Sequence, residues 1–212
     1  MLIDFHVHIK RTSGCAKAPA SNMAKAAAKA GIDGIVILDH NYHATIDDCL
    51  EVIDASEGKV TPYRGCEISI REGHHVVCIT EADLDIRMPC SWATFVEWRV
   101  RNRAVSILAH PFKDSSKILI DLWTDTLDGI EYTSPKAPMP NRKLVYDVAE
   151  EYNLRMVANS DSHRMRDLGS HANFCSGLPY DTQSLVTRFN SMDLHPYERI
   201  LAPIDLSGHE ND

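Results

Sequence analysis

The chain has no apolar run longer than a strand, no C-x-x-C pair, no internal repeat, no low-complexity tract and no excess of positive charge. Each absence removes a class of protein. A membrane-spanning helix needs about 20 consecutive apolar residues, and a secretory leader needs a basic stretch followed by an apolar one. The sequence opens instead on a strand-like run, so neither membrane insertion nor secretion is expected. With 22 basic and 30 acidic residues, the net charge of −8 has the wrong sign for a surface that wraps nucleic acid or an anionic bilayer. The six cysteines (Cys15, Cys49, Cys66, Cys78, Cys90, Cys175) are scattered, several of them in apolar runs. They read as small core residues of a reduced, cytoplasmic protein rather than as a disulfide framework. A length of 212 residues suits a single domain, 1–212, with a substantial core.

What is present is histidine, eleven in all, and its placement is patterned. Leu2-Ile3-Asp4-Phe5-His6-Val7-His8 reads as a β-strand whose period of two puts Asp4, His6 and His8 on one face and Ile3, Phe5 and Val7 on the other. Two imidazoles so placed can grip one divalent ion, at about 2.0–2.1 Å for zinc, with the carboxylate as a further ligand or as the group that orients an imidazole. The plainer alternative is a half-buried strand with a polar face toward solvent.

The rest of the chain favours the metal site. Ser21 can cap a helix through Ala30 that stops at Gly31, and Gly34–Leu38 is an apolar strand ending in Asp39-His40. Further helices are expected at about 45–56, 91–101, 141–152 and 182–190, with strands within 60–70, 75–80, 104–109, 128–132 and 155–159. Seven continuous apolar strands joined through helices indicate a parallel sheet covered by helices. The expected fold class is α/β, a distorted (β/α)7 TIM-like barrel, because the chain is short of the ~250 residues typical of eight units. His6, His8, His40, Glu67, His110, Asp161 and His163 all fall at or just beyond the C-terminal ends of these strands, the end of such barrels that carries active sites. Imidazole and carboxylate together suit zinc, manganese or iron, and a carboxylate can bridge neighbouring ions.

Five motifs in order, Asp4-Phe5-His6-Val7-His8, Leu38-Asp39-His40-Asn41, Gly65-Cys66-Glu67-Ile68-Ser69, Ala109-His110-Pro111-Phe112 and Ser160-Asp161-Ser162-His163, give the chain a resemblance to the PHP (polymerase and histidinol phosphatase) family of metal-dependent phosphoesterases, relatives of the amidohydrolases. The resemblance implies two or three divalent ions at the barrel mouth. By it, His6, His8, Glu67 and Asp161 hold a first ion, Glu67, His75 and His110 a second, and His40 and His163 serve a third. Gly73-His74-His75 offers two histidines for one position. His75 is taken because it directly precedes the apolar Val76–Ile79, with His74 as the alternative. Three-metal relatives carry a further histidine or aspartate shortly after the first motif, where this chain has Lys10-Arg11-Thr12-Ser13-Gly14-Cys15. Either Cys15 or His43 stands in, or the centre holds two ions.

The implied chemistry is hydrolysis of a small phosphate ester by a metal-activated water, a phosphomonoesterase rather than a phosphodiesterase or exonuclease. A binding module with lapsed catalysis is the alternative of another class. Asp161 is implied as proton acceptor, and His40 or His163 as proton donor to the leaving oxygen. Lys113, after His110-Pro111, and Arg164, after His163, are the expected clamps for a phosphate, and Lys10, Arg11, Arg64 and Lys136 are lesser candidates. The Ala/Lys helix after Ser21 and Trp92, Phe95, Trp98 and Trp123 read as packing elements. His171 either approaches the site or is structural.

Overall fold

The computed structural model describes residues 1–12, 14–113, 115–122, 126–135 and 141–199. Trp123, Lys136 and the polar tail 206–212 lie outside the described residues. Within them the strands are β1 (Leu2–His8), β2 (Gly34–Leu38), β3 (Thr61–Ile70), β4 (His74–Ile79), β5 (Val105–Ala109), β6 (Gly129–Thr133), β7 (Arg155–Ala158), β8 (His171–Cys175) and β9 (Leu194–Glu198). The helices are α1 (Ala20–Ala30), α2 (Ile46–Ala55), α3 (Trp92–Asn102), α4 (Arg142–Tyr152) and α5 (Thr182–Arg188). One sheet, in the order β7-β6-β5-β4-β3-β2-β1-β8-β9, curls into a nearly closed, TIM-like α/β barrel. No helix of the described residues is long and apolar enough to cross a membrane.

All seven expected strands form, and β8 and β9 add to them. Both added strands are short and polar in part, His-Ala-Asn-Phe-Cys and Leu-His-Pro-Tyr-Glu, and carry no apolar run that would announce them. The sheet is also not all parallel: β4 is antiparallel to β3 and β5, and β8 to β1 and β9. Only Arg71, Glu72 and Gly73 join β3 to β4, with Gly73 at φ +91°, and a parallel crossover needs a dozen or more residues. The reversal presents the N-terminal end of β4, and therefore His75, at the mouth reached by the C-terminal ends of its neighbours.

Helix boundaries follow local chemistry. Thr45 and Asp48 form a capping box on α2, and Ser91 caps α3. Ser21 is not the cap of α1: Pro19 holds that position, while Ser21 lies inside the first turn with its amide donating to Glu51 Oε1 at 3.0 Å. Gly31 ends α1 in the left-handed conformation, φ +76°. The alanines of α1 pack on Ile35 and Ile37, and Trp92, Phe95 and Trp98 are buried against the outer face of β3 to β6, as packing residues.

Inside the barrel, Ile3, Phe5, Tyr63, Val77, Ile107 and Val157 form one cluster. Its floor is Phe189, on a 3-10 turn after α5, edge-on to Phe5 with ring centroids 5.6 Å apart. Strict alternation does not hold along β1. Ile3 and Phe5 face this interior while Val7 packs outward beneath α1. Between Asp4 and Val7, β1 contributes one residue more than β2, a bulge that separates Asp4 from the face shared by His6 and His8.

Closure between β7 and β1 is made largely by side chains. Asn173 of β8 accepts from Ala158 N at 2.9 Å and donates to Ala158 O at 2.7 Å and Ile3 O at 3.2 Å. Phe5 N donates to Asn159 Oδ1 at 3.1 Å, and at the mouth His8 N donates to Ser162 O and Ser162 N to His6 O. Replacing Asn173 by Leu strands buried backbone groups worth about 1–3 kcal/mol each. We expect an overall loss of roughly 2–4 kcal/mol by urea denaturation; a loss below about 1 kcal/mol would show that the seam does not depend on this amide.

Candidate metal centre

The mouth gathers all eight residues expected there. His6 and His8 come from β1, His40 follows β2, Glu67 lies on β3, His75 opens β4, His110 follows β5, and Asp161 and His163 follow β7. A parallel bridge between His40 and Glu67 fixes the second motif against the third. Gly65, two residues before Glu67, is required by packing, since a Cβ there would stand 2.6 Å from Val36 Cγ1.

Glu67 sits at the centre, fully buried. Its Oε1 lies 3.0 Å from both His75 Nδ1 and His110 Nε2, while Oε2 lies 2.9 Å from His40 Nδ1, 3.2 Å from His8 Nε2 and 3.6 Å from His6 Nε2. Asp161 Oδ1 is 3.5 Å from His6 Nε2 and 3.3 Å from His8 Nε2. The donor atoms of His6, His8 and Asp161 form one group within 4.8 Å of one another, and those of His40, Glu67 and His75 another.

Two carboxylates hold this constellation in place, and sequence reasoning assigned neither of them. Glu131 of β6 is fully buried; its Oε1 accepts from His6 Nδ1 at 2.7 Å and Asn159 Nδ2 at 2.9 Å, and its Oε2 from His110 N at 2.6 Å. With Nδ1 facing Glu131, Nε2 is the His6 nitrogen that faces the cluster. Asp39 accepts from Thr12 N and His40 N and lies 3.9 Å from His8 Nδ1. Glu131 interrupts an apolar strand in the way that Glu67 does and Asp39 directly follows one, and that is the signal that could have found them. Asp4 accepts from His6 N and from Ser160 N and Oγ, so it ties the two ends of the cluster together from behind. His110 and Asp161 have left-handed backbones, φ +30° and +46°. That conformation costs roughly 1–2 kcal/mol per residue, and it is held at His110 by the bond to Glu131.

The residues fit divalent ions. Glu67 Oε2 is buried and accepts no well-formed hydrogen bond although three imidazoles crowd it. Burial alone would depress the His6 imidazole, but Asp161, Glu131 and Glu67 raise it to about 10. Burial likewise opposes ionisation of Glu67, yet His6, His110 and His40 hold it well below the usual carboxylate range. The buried carboxylates of Glu67, Glu131 and Asp161 around His6 give the mouth the negative field that a cation enters.

Other candidates stand apart. His74 Nε2 accepts from Leu119 N at 2.8 Å, turned away from the cluster that His75 faces. His43 Nε2 donates to Thr80 O, and His171 lies beside Ser170 and Glu198 as a structural residue. Arg11 pairs with Asp48 and Glu51, and Arg64 with Glu81. Lys10 and Arg164 are exposed, and Lys113 is exposed beside His75, His110 and Phe112, lining one small recess with them.

A TIM-like barrel with a His/Glu/Asp cluster at its mouth defines a class of metal-dependent hydrolases. The PHP domain model matches residues 4–190, and the chain belongs to that family. The fold is similar to three solved structures. One is a two-domain Bacteroides vulgatus protein containing a predicted PHP-like metal-dependent phosphoesterase: 16% identity, TM-score 0.68, 93% of this chain and 64% of that one. The second is PsfC of Pseudomonas syringae, with 14% identity, TM-score 0.67, and 94% and 91% covered. The third is an amidohydrolase of Chromobacterium violaceum with bound sulfate, with 17% identity, TM-score 0.60, and 84% and 92% covered. No curated protein matches the sequence.

Glu131→Gln puts an NH2 group against a donor in either orientation, mis-setting His6 or His110. We expect metal affinity to fall about 10–100-fold in a chelator competition titration; unchanged affinity would show that Glu131 is not an orienting group.

Proposed function

We propose that the protein is a phosphomonoesterase acting on a small phosphate ester with two or three divalent ions, zinc, manganese or iron. In this reading His6, His8, Glu67 and Asp161 hold one ion, Glu67, His75 and His110 the second, and His40 and His163 serve a third. The observation that carries it is Glu67, whose two oxygens face two different sets of imidazoles, as a carboxylate shared between ions requires. When bound, such ions supply a water acidic enough to give hydroxide near neutral pH, and positive charge against phosphoryl oxygens.

The chain's own groups do the rest. Asp161 accepts or relays the water proton. His163 Nδ1–H donates to Asp161 O at 3.0 Å, which leaves Nε2 as its basic nitrogen. His40 and His163 keep 26% and 18% of their side-chain surface exposed, against 0% for His6 and His8, so they face an arriving substrate. They protonate the departing alkoxide where they do not hold a third ion. Lys113 and Arg164 clamp the phosphate from the rim. The net charge of −8 disfavours a polynucleotide substrate, and six cysteines that form no disulfide among the described residues support a reducing, cytoplasmic setting.

The test is metal analysis of the reconstituted protein together with phosphate release from nucleoside monophosphates, sugar phosphates, histidinol phosphate, cyclic phosphates and oligonucleotides. Two or more ions per chain and release from a monoester are expected. Fewer than two ions with no release from any ester overturns the proposal, and preference for a cyclic or oligonucleotide ester replaces it with a phosphodiesterase. Asp161→Asn should lower turnover by roughly 100-fold or more with the metals retained; unchanged turnover with full metal content would remove the proton role.

A further inference from the structure

The loop leaving β1 carries no histidine, aspartate or glutamate from Lys10 to Cys15, so the thiol is its one soft donor. Two bonds fold that loop back onto the mouth: Thr12 N donates to Asp39 Oδ2 at 2.9 Å and Lys17 N to His163 O at 3.0 Å. Cys15, bracketed between them, has its Sγ 3.9 Å from His8 Nδ1 and 3.7 Å from Asp39 Oδ1. One donor atom from each of His8, Cys15, His40 and His163 lies within 4.8 Å of the other three. The rings of His8 and His163 stack at 3.9 Å on one side of this group. Glu67 Oε2, buried and without a well-formed hydrogen bond, borders it 2.9 Å from His40 Nδ1.

We infer that Cys15 is a metal ligand in this chain, sharing an ion with His40 and His163 on the outer side of His8. The inference rests on the metal-centre reading above and gives one position of that centre a soft donor. A thiolate with imidazoles selects zinc or iron over manganese and magnesium, whereas the positions built only of imidazole and carboxylate accept harder ions. The centre is therefore chemically uneven, with one zinc-selective position beside positions that tolerate manganese. The competing role for Cys15 is simpler: its thiol donates to Asp39 and holds no ion.

Cobalt(II) and thiol alkylation separate the two. Chelator-stripped protein reloaded with cobalt should show a near-ultraviolet thiolate-to-cobalt charge-transfer band that Cys15→Ser lacks, with about one ion per chain lost in the variant. Cys15→His should keep the ion and lose the band. In the native protein, iodoacetamide labelling read by peptide mass spectrometry reports on Cys15, because Cys66, Cys78, Cys90 and Cys175 are buried and burial pushes the Cys49 thiol up to about 12. Zinc should slow Cys15 labelling at least about tenfold. Identical cobalt spectra for wild type and Cys15→Ser, with labelling indifferent to zinc while the other positions are filled, overturn the inference. Uptake of no metal at all overturns the centre and the inference together. A thiolate band in a protein that releases phosphate from no ester supports the ligand and overturns only the proposed reaction.

Discussion

The structure depends on a seam that the backbone does not close by itself. The first and seventh strands meet through Asn159 and Asn173 amides, through Asp4 bonded to Ser160, and through two backbone bonds between His6, His8 and Ser162. The Phe5–Asn159 bond spans 154 residues of sequence. Together these bonds close the interior on this side and bring the segment around Asp161 against the first motif. A buried amide suits this task because it offers donors and an acceptor together, satisfying a strand edge on both counts. The side chains that close the barrel therefore also assemble half of the metal centre.

Concentrating charge at that mouth works against stability. Glu67, Asp161, Glu131 and Asp39 are all buried against His6 or His8, beside strained backbone at His110 and Asp161. Buried carboxylates are tolerable only when each is met by donors or cations, and imidazoles meet them here. Packing below compensates: Phe5, Phe189 and the strand residues around them form a dry floor beneath the polar mouth. Glu131 links the two halves of the arrangement. It orients one imidazole through Nδ1 and holds the backbone of another, so one buried carboxylate positions two histidines of the cluster.

Much of this was legible in the primary structure, for reasons that can be named. Continuous apolar strands such as Gly34–Leu38 and Val105–Ala109 announce themselves by composition, and a polar residue at the end of such a strand stands out against it. That contrast exposed His40, Glu67, His110 and the Asp161–His163 pair. β8 and β9 were not legible, because they are held at the seam by pairing and by Asn173 rather than by an apolar run. Glu131 and Asp39 bore only the general mark of a carboxylate in or just after an apolar strand, and no motif spacing tied them to the histidines they orient.

The sequence by itself determined the barrel class and the family and named the residues that meet at the mouth, since local apolar runs and short motifs encode those directly. Tertiary structure decided how the donors are divided. The bulge in β1 parts Asp4 from His6 and His8, the three-residue turn before β4 presents His75 and withdraws His74, and the loop after β1 brings Cys15 rather than His43 to the mouth. Each of these depends on register and chain direction, which arise only when distant strands pair, and no local pattern of residues carries them.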